Sequence, residues 1–178
     1  HGRGGQGVVL AGRLLGEALM NAGYYAQSYP EFGAERSGAP VTAFLRASEA
    51  PIEVRSPINR PHFVVVIDPY ISMERSVVDG LREGGLVVAN SVLPPGKLKE
   101  MLKPAVECKV ATVNATKIAL DVLGRNNPNT AILGAMAEVS RIAPIDFLME
   151  AAKKAFPGRV GELNAEAMKR GAAEVAVA

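Results

Sequence analysis

The sequence predicts an α/β protein, a three-layer sandwich built on a largely parallel sheet. Apolar runs at residues 63–67, 86–89 and 109–113 have the length and β-branched content of strands buried on both faces. Helical patterns lie between and after these runs, and such alternation is typical of parallel sheets covered by helices. A glycine loop at residues 2–7 precedes the first helix, which makes the predicted sheet Rossmann-like. We expect one domain, residues 1–178.

The N-terminal third begins with an amphipathic helix at residues 8–22, which Gly23 should end because glycine tolerates the backbone of a helix C-terminus. An aromatic-rich strand should follow the helix. Any antiparallel contribution to the sheet should come from residues 41–54. The pattern predicts strands at residues 24–29 and 41–46, with a long loop between them at residues 30–40. A possible extension of the sheet lies at residues 52–54, and a turn follows at residues 56–61.

The rest of the chain alternates buried strands with helices and ends in a helical region. Gly124 should stop one helix, and Gly134 should allow another to pack closely against a neighbour. The predicted helices span residues 71–82, 97–102, 116–123, 127–142, 144–156 and 160–175.

Composition and charge narrow the possible functions. The 178 residues include 20 Lys and Arg and 18 Asp and Glu, so the net charge is +2, and no basic cluster predicts a nucleic-acid partner. There is neither an apolar run of about 18 residues nor a signal peptide, so we expect a cytoplasmic protein with no membrane partner. The single cysteine, Cys108, should be a buried thiol, since one cysteine cannot hold an iron–sulfur cluster or a zinc ion.

The glycine loop, GRGGQG, fits the G-x-G-x-x-G pattern with Gly2, Gly4 and Gly7. Glycines let a ligand approach the backbone closely, and the N–H groups at the start of the following helix attract phosphate. The alternative is a glycine turn that serves only tight strand–helix packing. A strand normally precedes such a loop, so we expect one before His1.

Known sequence motifs exclude some classes of nucleotide-binding protein for this chain and leave one open. The chain has no G-x-x-x-x-G-K-[ST] motif, so it is not a P-loop NTPase. No tyrosine is followed four places on by lysine, so the short-chain dehydrogenase pair is absent. Glu31 stands near the spacing of about 20 residues at which an acidic residue holds a nicotinamide ribose. A stand-alone dinucleotide-binding module therefore remains open.

Four motifs carry a resemblance that spans essentially the whole chain. They are HGRGGQG at 1–7, YAQSYPEFG at 25–33, ERSGAPV at 35–41 and NTAILG at 129–134. In this order they resemble the gamma subunits of 2-oxoacid:ferredoxin oxidoreductases, most closely the pyruvate and branched-chain 2-oxoacid types.

The resemblance implies a subunit of an enzyme complex rather than an enzyme that acts alone. Such complexes oxidatively decarboxylate a 2-oxoacid to acyl-coenzyme A and pass the electrons to ferredoxin. The resemblance implies alpha, beta and delta partner subunits, with thiamine diphosphate and iron–sulfur clusters on those partners and coenzyme A partly bound here. The sequence itself agrees, since it has one cysteine and no Gly-Asp-Gly of the thiamine diphosphate motif.

The resemblance also implies a coenzyme A site, in which the glycine loop supplies backbone donors and the loop after the second strand supplies charge. Arg3 is a second candidate cation. The alternatives are a salt bridge from Glu35 and Arg36 across a subunit interface, and a purely structural subunit. The predicted coenzyme A-binding residues are Gly4, Gly5, Gln6, Gly7, Arg36 and Ser37.

Four further polar residues have both a functional and a structural interpretation. Asp68 follows a buried strand, where functional residues gather, but it should rather cap the next helix. Asn90 ends the next strand and could line the same crevice. Thr130 should cap the helix that starts there, and His62 should lie at the surface.

Overall fold

The structure is a computed structural model, which describes residues 1–32 and 39–178. Its strands are β1 (Gly2–Arg3), β2 (Tyr25–Phe32), β3 (Pro40–Ser48), β4 (Phe63–Val66), β5 (Gly85–Asn90), β6 (Cys108–Val113) and β7 (Ala176–Val177). Its helices are α1 (Val8–Asn21), α2 (Pro95–Leu102), α3 (Ala115–Leu123), α4 (Asn129–Ser140), α5 (Ile145–Ala155) and α6 (Arg159–Glu174).

The larger sheet has the order β4-β5-β6-β7, and β4, β5 and β6 run parallel. Every residue of β5 is buried, as expected for a strand with both faces covered. At the other edge of β4, the His1 nitrogen donates to Val65 O (2.7 Å) and the His1 carbonyl accepts from Ile67 N (2.7 Å). The predicted α/β fold with a largely parallel sheet is confirmed, while a strand before His1 stays a prediction.

Strands β1, β2 and β3 pair antiparallel in a second, three-stranded sheet with the order β1-β3-β2, so antiparallel pairing includes β1 and β2 as well as the predicted region 41–54. Residues 30–32, which we expected in a loop, extend β2 instead, with Pro30 opposite Ala43. Proline is compatible with this place because β2 is an edge strand. The predicted extension at 52–54 is wrong: there the carbonyl of Val54 accepts a hydrogen bond from the Arg46 guanidinium (3.0 Å) instead of pairing in a sheet.

Helices cover both faces of the larger sheet, so the predicted three-layer arrangement is present. One hydrophobic cluster lies on the face where α1, α3, α4, α5 and α6 pack, and a smaller one lies on the face of α2. Cys108 is buried in the smaller cluster as predicted, and burial raises the pKa of its thiol. Between α4 and α6, a Cβ added at Gly134 would collide with the backbone of Met168, which confirms the close packing predicted at Gly134.

The helix expected at residues 71–82 is wrong. In its place are two short 3₁₀ turns, Ile71–Met73 and Arg75–Val78. Glu74 and Asp79, which end them, have extended backbone with ψ of 127° and 130°, so an α-helix cannot continue through either residue. Apolar residues of this segment are still buried against the sheet, which explains why their spacing resembled a helix.

The other predicted helices and strands are confirmed within a few residues, and β7 is an addition of only two residues paired with β6. Gly23 (φ 92°) ends α1 in the predicted way: Gly23 N donates to Met20 O, and Tyr24 N donates to Leu19 O (both 3.0 Å). Gly124 (φ 67°) ends α3. No helix within residues 1–32 and 39–178 combines the length and the apolar character needed to cross a bilayer.

Candidate functional site

The glycine loop joins β1 to α1 through a tight turn. Gln6 N donates to Arg3 O (3.2 Å), which closes a four-residue turn, and Gly4 N donates to Ala39 O (3.1 Å). Gly5 has a φ of 91°, as the third residue of a type II turn requires. No atom of the described residues lies within 4 Å of the position that a Gly5 Cβ would occupy, so a ligand can approach the backbone there.

The start of α1 has no side-chain cap from the described residues and no acidic residue in its first turn. Its N-cap residue is Gly7, with a left-handed backbone (φ 75°). Within the described part of the chain, the N–H groups of Gly5, Val8 and Val9 donate to no acceptor. Unpaired N–H groups and the positive end of the helix dipole favour an anion at this point.

Asp68 anchors the loop to the end of β4. The Gln6 amide donates from Nε2 to Asp68 Oδ2 (2.7 Å), while Gln6 Oε1 accepts from Arg3 N (2.8 Å). The Arg3 guanidinium Nε lies 3.6 Å from the same carboxylate oxygen. Asp68 is only 3 % exposed, so the carboxylate is a buried charge beneath the loop.

The predicted capping role of Asp68 is confirmed, although it caps a 3₁₀ turn rather than an α-helix. Its Oδ1 accepts from Tyr70 N (3.0 Å) and Ile71 N (2.9 Å). Burial alone would raise the pKa of Asp68, but the hydrogen bonds from Ile71, Gln6 and Tyr70 and the charge of Arg3 hold that pKa below its ordinary value. The carboxylate is therefore ionised at neutral pH.

The start of α4 supports the loop from the other side. Asn129 Nδ2 donates to Gly7 O (3.4 Å), and a Cβ on Gly7 would collide with the Asn129 amide. The side-chain oxygen of Asn127, near Gly7, is buried and has no hydrogen-bond partner among the described residues. The prediction that Thr130 caps α4 is wrong, because its hydroxyl donates to Asn164 Oδ1 on α6 (2.9 Å) and the N-cap position is taken by Pro128.

The remaining predicted residues are less directly connected to the loop. Asn90 lies at the same strand ends but is 1 % exposed, and its Nδ2 donates to Ile67 O and Thr116 Oγ1 (both 2.8 Å), so its amide joins elements rather than facing a crevice. His62 is exposed as predicted. Arg36 and Ser37 lie outside the described residues.

Glu31, the candidate ribose ligand, lies on β2 opposite Thr42. Strand β3 separates it from Arg3, which pairs with Pro40 on the far side. In a Rossmann site the acidic residue follows the strand next to the glycine loop. The strand order therefore speaks against a nicotinamide ribose held between the loop and Glu31.

The structure places Gly4, Gly5 and Gln6 in one turn and Gly7 at the N-cap of α1. Sequence reasoning singled out these four residues, and their role in binding stays a prediction. It missed the contact between Gln6 and Asp68, although the place of Asp68 after a buried strand was a signal for it. It also missed the contact between Asn129 and Gly7, which no local pattern encodes.

Comparison with known proteins gives the family. Residues 1–174 match the family model described as pyruvate ferredoxin/flavodoxin oxidoreductase. A Thermococcus litoralis protein named pyruvate/ketoisovalerate oxidoreductases common subunit gamma is 45% identical over 169 residues, which is 95% of this chain and 91% of that protein.

Two solved structures have the same fold. A pyruvate oxidoreductase subunit from Thermotoga maritima superposes with a TM-score of 0.86 at 36% identity, covering 99% of this chain and 94% of that one. A 2-oxoglutarate:ferredoxin oxidoreductase from Magnetococcus marinus, solved with coenzyme A bound, superposes with a TM-score of 0.76 at 20% identity. That match covers 97% of this chain and 29% of that one. This chain therefore belongs to the pyruvate ferredoxin/flavodoxin oxidoreductase family, among the gamma subunits of 2-oxoacid:ferredoxin oxidoreductases.

Proposed function

We propose that this chain is the gamma subunit of a complex that oxidatively decarboxylates pyruvate, or a related 2-oxoacid, to acyl-coenzyme A and passes the electrons to ferredoxin. Within it, the glycine loop at residues 4–7 binds a phosphate group of coenzyme A. The observation that carries this proposal is the uncapped start of α1, where the N–H groups of Gly5, Val8 and Val9 have no acceptor in the described part of the chain.

A coenzyme A phosphate has the chemistry that this loop suits. Its oxygens accept hydrogen bonds from backbone N–H groups, and the helix dipole favours its negative charge. The side chain of Arg3 is 38% exposed beside the loop, where it can add a cation. Arg36 and Ser37 belong to the same proposal as a further cation and a hydroxyl, which would bind phosphate through charged hydrogen bonds.

The redox cofactors belong to the partner subunits in this proposal. An iron–sulfur cluster needs several cysteine ligands, and the chain has only Cys108. Thiamine diphosphate and the clusters are accordingly assigned to the alpha, beta and delta subunits, with which the chain would assemble. The names of its relatives describe subunits, which supports assembly with partner chains.

The choice of 2-oxoacid is proposed to lie outside this chain. The Thermococcus litoralis relative is named as a subunit common to pyruvate and ketoisovalerate oxidoreductases. A subunit shared between two such enzymes is more easily explained if it handles coenzyme A, which both reactions use, than if it selects the 2-oxoacid. Pyruvate remains the proposed main substrate, in line with relatives named pyruvate synthase subunit.

The decisive experiment replaces Gly5 with aspartate in the assembled complex. Asp tolerates a positive φ better than most residues, and no described residue fills the space at a Gly5 side chain. The new carboxylate accepts hydrogen bonds from the free N–H groups and occupies the place of the phosphate. We expect the KM for coenzyme A to rise about 10-fold or more, while kcat at saturating coenzyme A changes little.

Gly84→Asp is the matched control. Gly84 also has a positive φ (71°) and open space around its missing Cβ, but it lies in the turn before β5, at the opposite end of the strand from the loop. The control should leave the KM for coenzyme A unchanged. An unchanged KM in Gly5→Asp as well would show that the loop does not bind coenzyme A.

A further inference from the structure

We propose that Asp68 is a positioning residue for the glycine loop: its carboxylate fixes the orientation of the Gln6 amide and thereby the shape of the turn that contains Gly5. The functional consequence of this inference rests on the proposed binding of coenzyme A by the loop. The structural part stands on the contacts of Asp68 alone and can be tested without any ligand.

The charge of Asp68 sets the polarity of the hydrogen bonds that the Gln6 side chain forms. An ionised carboxylate only accepts, so the Gln6 group that faces Asp68 Oδ2 must be the donor Nε2 (2.7 Å). The opposite end of the same amide is then the acceptor Oε1, which takes the hydrogen bond of Arg3 N (2.8 Å). Both ends of the Gln6 side chain are thus determined by the charge state of Asp68.

The Gln6 side chain also helps to close the turn that contains Gly5. Two hydrogen bonds close the turn from Arg3 to Gln6. Arg3 N donates to the side-chain Oε1 of Gln6 (2.8 Å), and Gln6 N donates to the backbone oxygen of Arg3 (3.2 Å). Gly4 and Gly5 lie between these two bonds. If the amide turns over, its NH₂ group meets the Arg3 N–H, two donors face each other and the turn loses one of its two closures.

The Asp68 side chain itself is fixed and cannot rotate to adapt to a changed Gln6 amide. Its Oδ1 accepts from Tyr70 N and Ile71 N (3.0 and 2.9 Å), and the side chain is buried at the end of β4. Its charge is offset by these donors, by Gln6 and by the Arg3 guanidinium 3.6 Å away. The carboxylate therefore orients the loop from below, and the free N–H groups of α1 remain available to an anion.

The test begins with Asp68→Asn in the assembled complex. Asparagine keeps an oxygen for Tyr70 N and Ile71 N but presents an NH₂ group to Gln6. We expect amide hydrogen exchange at Arg3, Gly4 and Gln6, whose N–H groups are hydrogen-bonded in the loop, to become about 10-fold faster, since the loop opens more often. The KM for coenzyme A should rise about 5-fold or more while kcat at saturating coenzyme A changes little.

The rescue combines Asp68→Asn with Gln6→Glu, which exchanges charge and amide and leaves the net charge unchanged. The asparagine then donates to the new carboxylate, whose other oxygen accepts from Arg3 N, so the polarity of the two bonds is complete again. Loop exchange should return to within about 2-fold of the original rate, as coupled neighbours in a mutant cycle do. Gln6→Glu alone sets two carboxylates against each other and should open the loop.

Asp121→Asn is the matched control. Asp121 forms ion pairs with Lys117 and Arg170 on the surface, and its replacement should leave both loop exchange and the KM for coenzyme A unchanged. Native exchange and native KM in Asp68→Asn, or a double variant whose loop exchanges as fast as that of Asp68→Asn, would overturn the proposal. A raised KM for coenzyme A in Gly5→Asp, with native exchange and native KM in Asp68→Asn, would overturn only the role of Asp68. Faster loop exchange in Asp68→Asn, with an unchanged KM for coenzyme A in Gly5→Asp, would reject only coenzyme A binding by the loop.

Discussion

At the scale of single residues, Gly7 meets two independent demands. Its φ of 75° favours glycine, and a Cβ would collide with the amide of Asn129. We predict that Gly7→Ala lowers the free energy of unfolding by about 3 kcal/mol, from about 1 kcal/mol of backbone strain and about 2 kcal/mol of overpacking. Chemical denaturation of the purified chain measures this loss.

Gly124→Ala separates the two contributions. Gly124 has a similar φ (67°) at the end of α3, and no described atom lies within 4 Å of its missing Cβ. Its replacement should therefore cost only the backbone strain, about 1 kcal/mol. Equal losses in the two variants would show that Asn129 yields to the new methyl group and does not restrict the loop.

The same residue shows what sequence reasoning can and cannot reach. The glycine pattern predicted Gly7 because a glycine loop before a helix is a local signal. It could not predict Asn129, which is 122 positions away and touches the loop only through the fold. Gln6 was found for the same local reason, and its partner Asp68 was missed for the same nonlocal one, being 62 positions away.

At the scale of elements, α4 and α6 pack so closely that side chains are excluded where they cross. A Cβ on Gly134 would collide with the Met168 carbonyl, and one on Gly171 with the Ala131 carbonyl. Backbone atoms of two packed helices cannot move aside as a side chain can. We predict that Gly134→Ala destabilises the chain by about 2 kcal/mol, although alanine gains about 1 kcal/mol in helix propensity. The midpoint of urea unfolding measures the effect.

Gly96→Ala in α2 should change the free energy of unfolding in the opposite direction. Gly96 lies in the first turn of that helix, and no described atom is within 4 Å of its missing Cβ, so alanine gains propensity without a collision. We expect it to raise the free energy of unfolding by about 0.5–1 kcal/mol. If Gly134→Ala also stabilised the chain, the close crossing of α4 and α6 would not constrain it.

Sequence reasoning at this scale succeeded where periodicity and glycine agreed. Gly134 was predicted to permit close packing, and α6 was predicted as a helix, but the packing of one against the other was not predicted. It failed at residues 71–82, because burial against the sheet gave Ile71, Val77, Val78 and Leu81 a helix-like spacing. The extended backbone of Glu74 and Asp79, which interrupts the helix, leaves no trace in hydrophobic periodicity.

At the scale of the whole molecule, Asp68 joins the two sheets. It follows β4 of the larger sheet, and it binds Gln6 and Arg3 in the loop that continues β1 of the smaller one. Because the hydrogen bonds from Ile71, Gln6 and Tyr70 and the charge of Arg3 hold its pKa below the ordinary value of 3.8, the folded chain favours the ionised form more than the unfolded chain does. The resulting stability is fully present above pH 3.8 and is lost as the pH falls through the lower pKa of the folded state.

We therefore predict that Asp68→Asn flattens the fall in the free energy of unfolding below pH 3.8, because asparagine does not titrate. Asp121→Asn should flatten it too, since hydrogen bonds from Lys117 and Arg170 lower the pKa of Asp121. The salt dependence of the free energy of unfolding distinguishes the two variants. At about 0.5 M salt the exposed pairs of Asp121 are screened, and its variant should no longer differ from the original chain. The effect of Asp68→Asn should persist because that carboxylate is buried, and its disappearance in salt would mean that Asp68 does not hold the two sheets together through a buried charge.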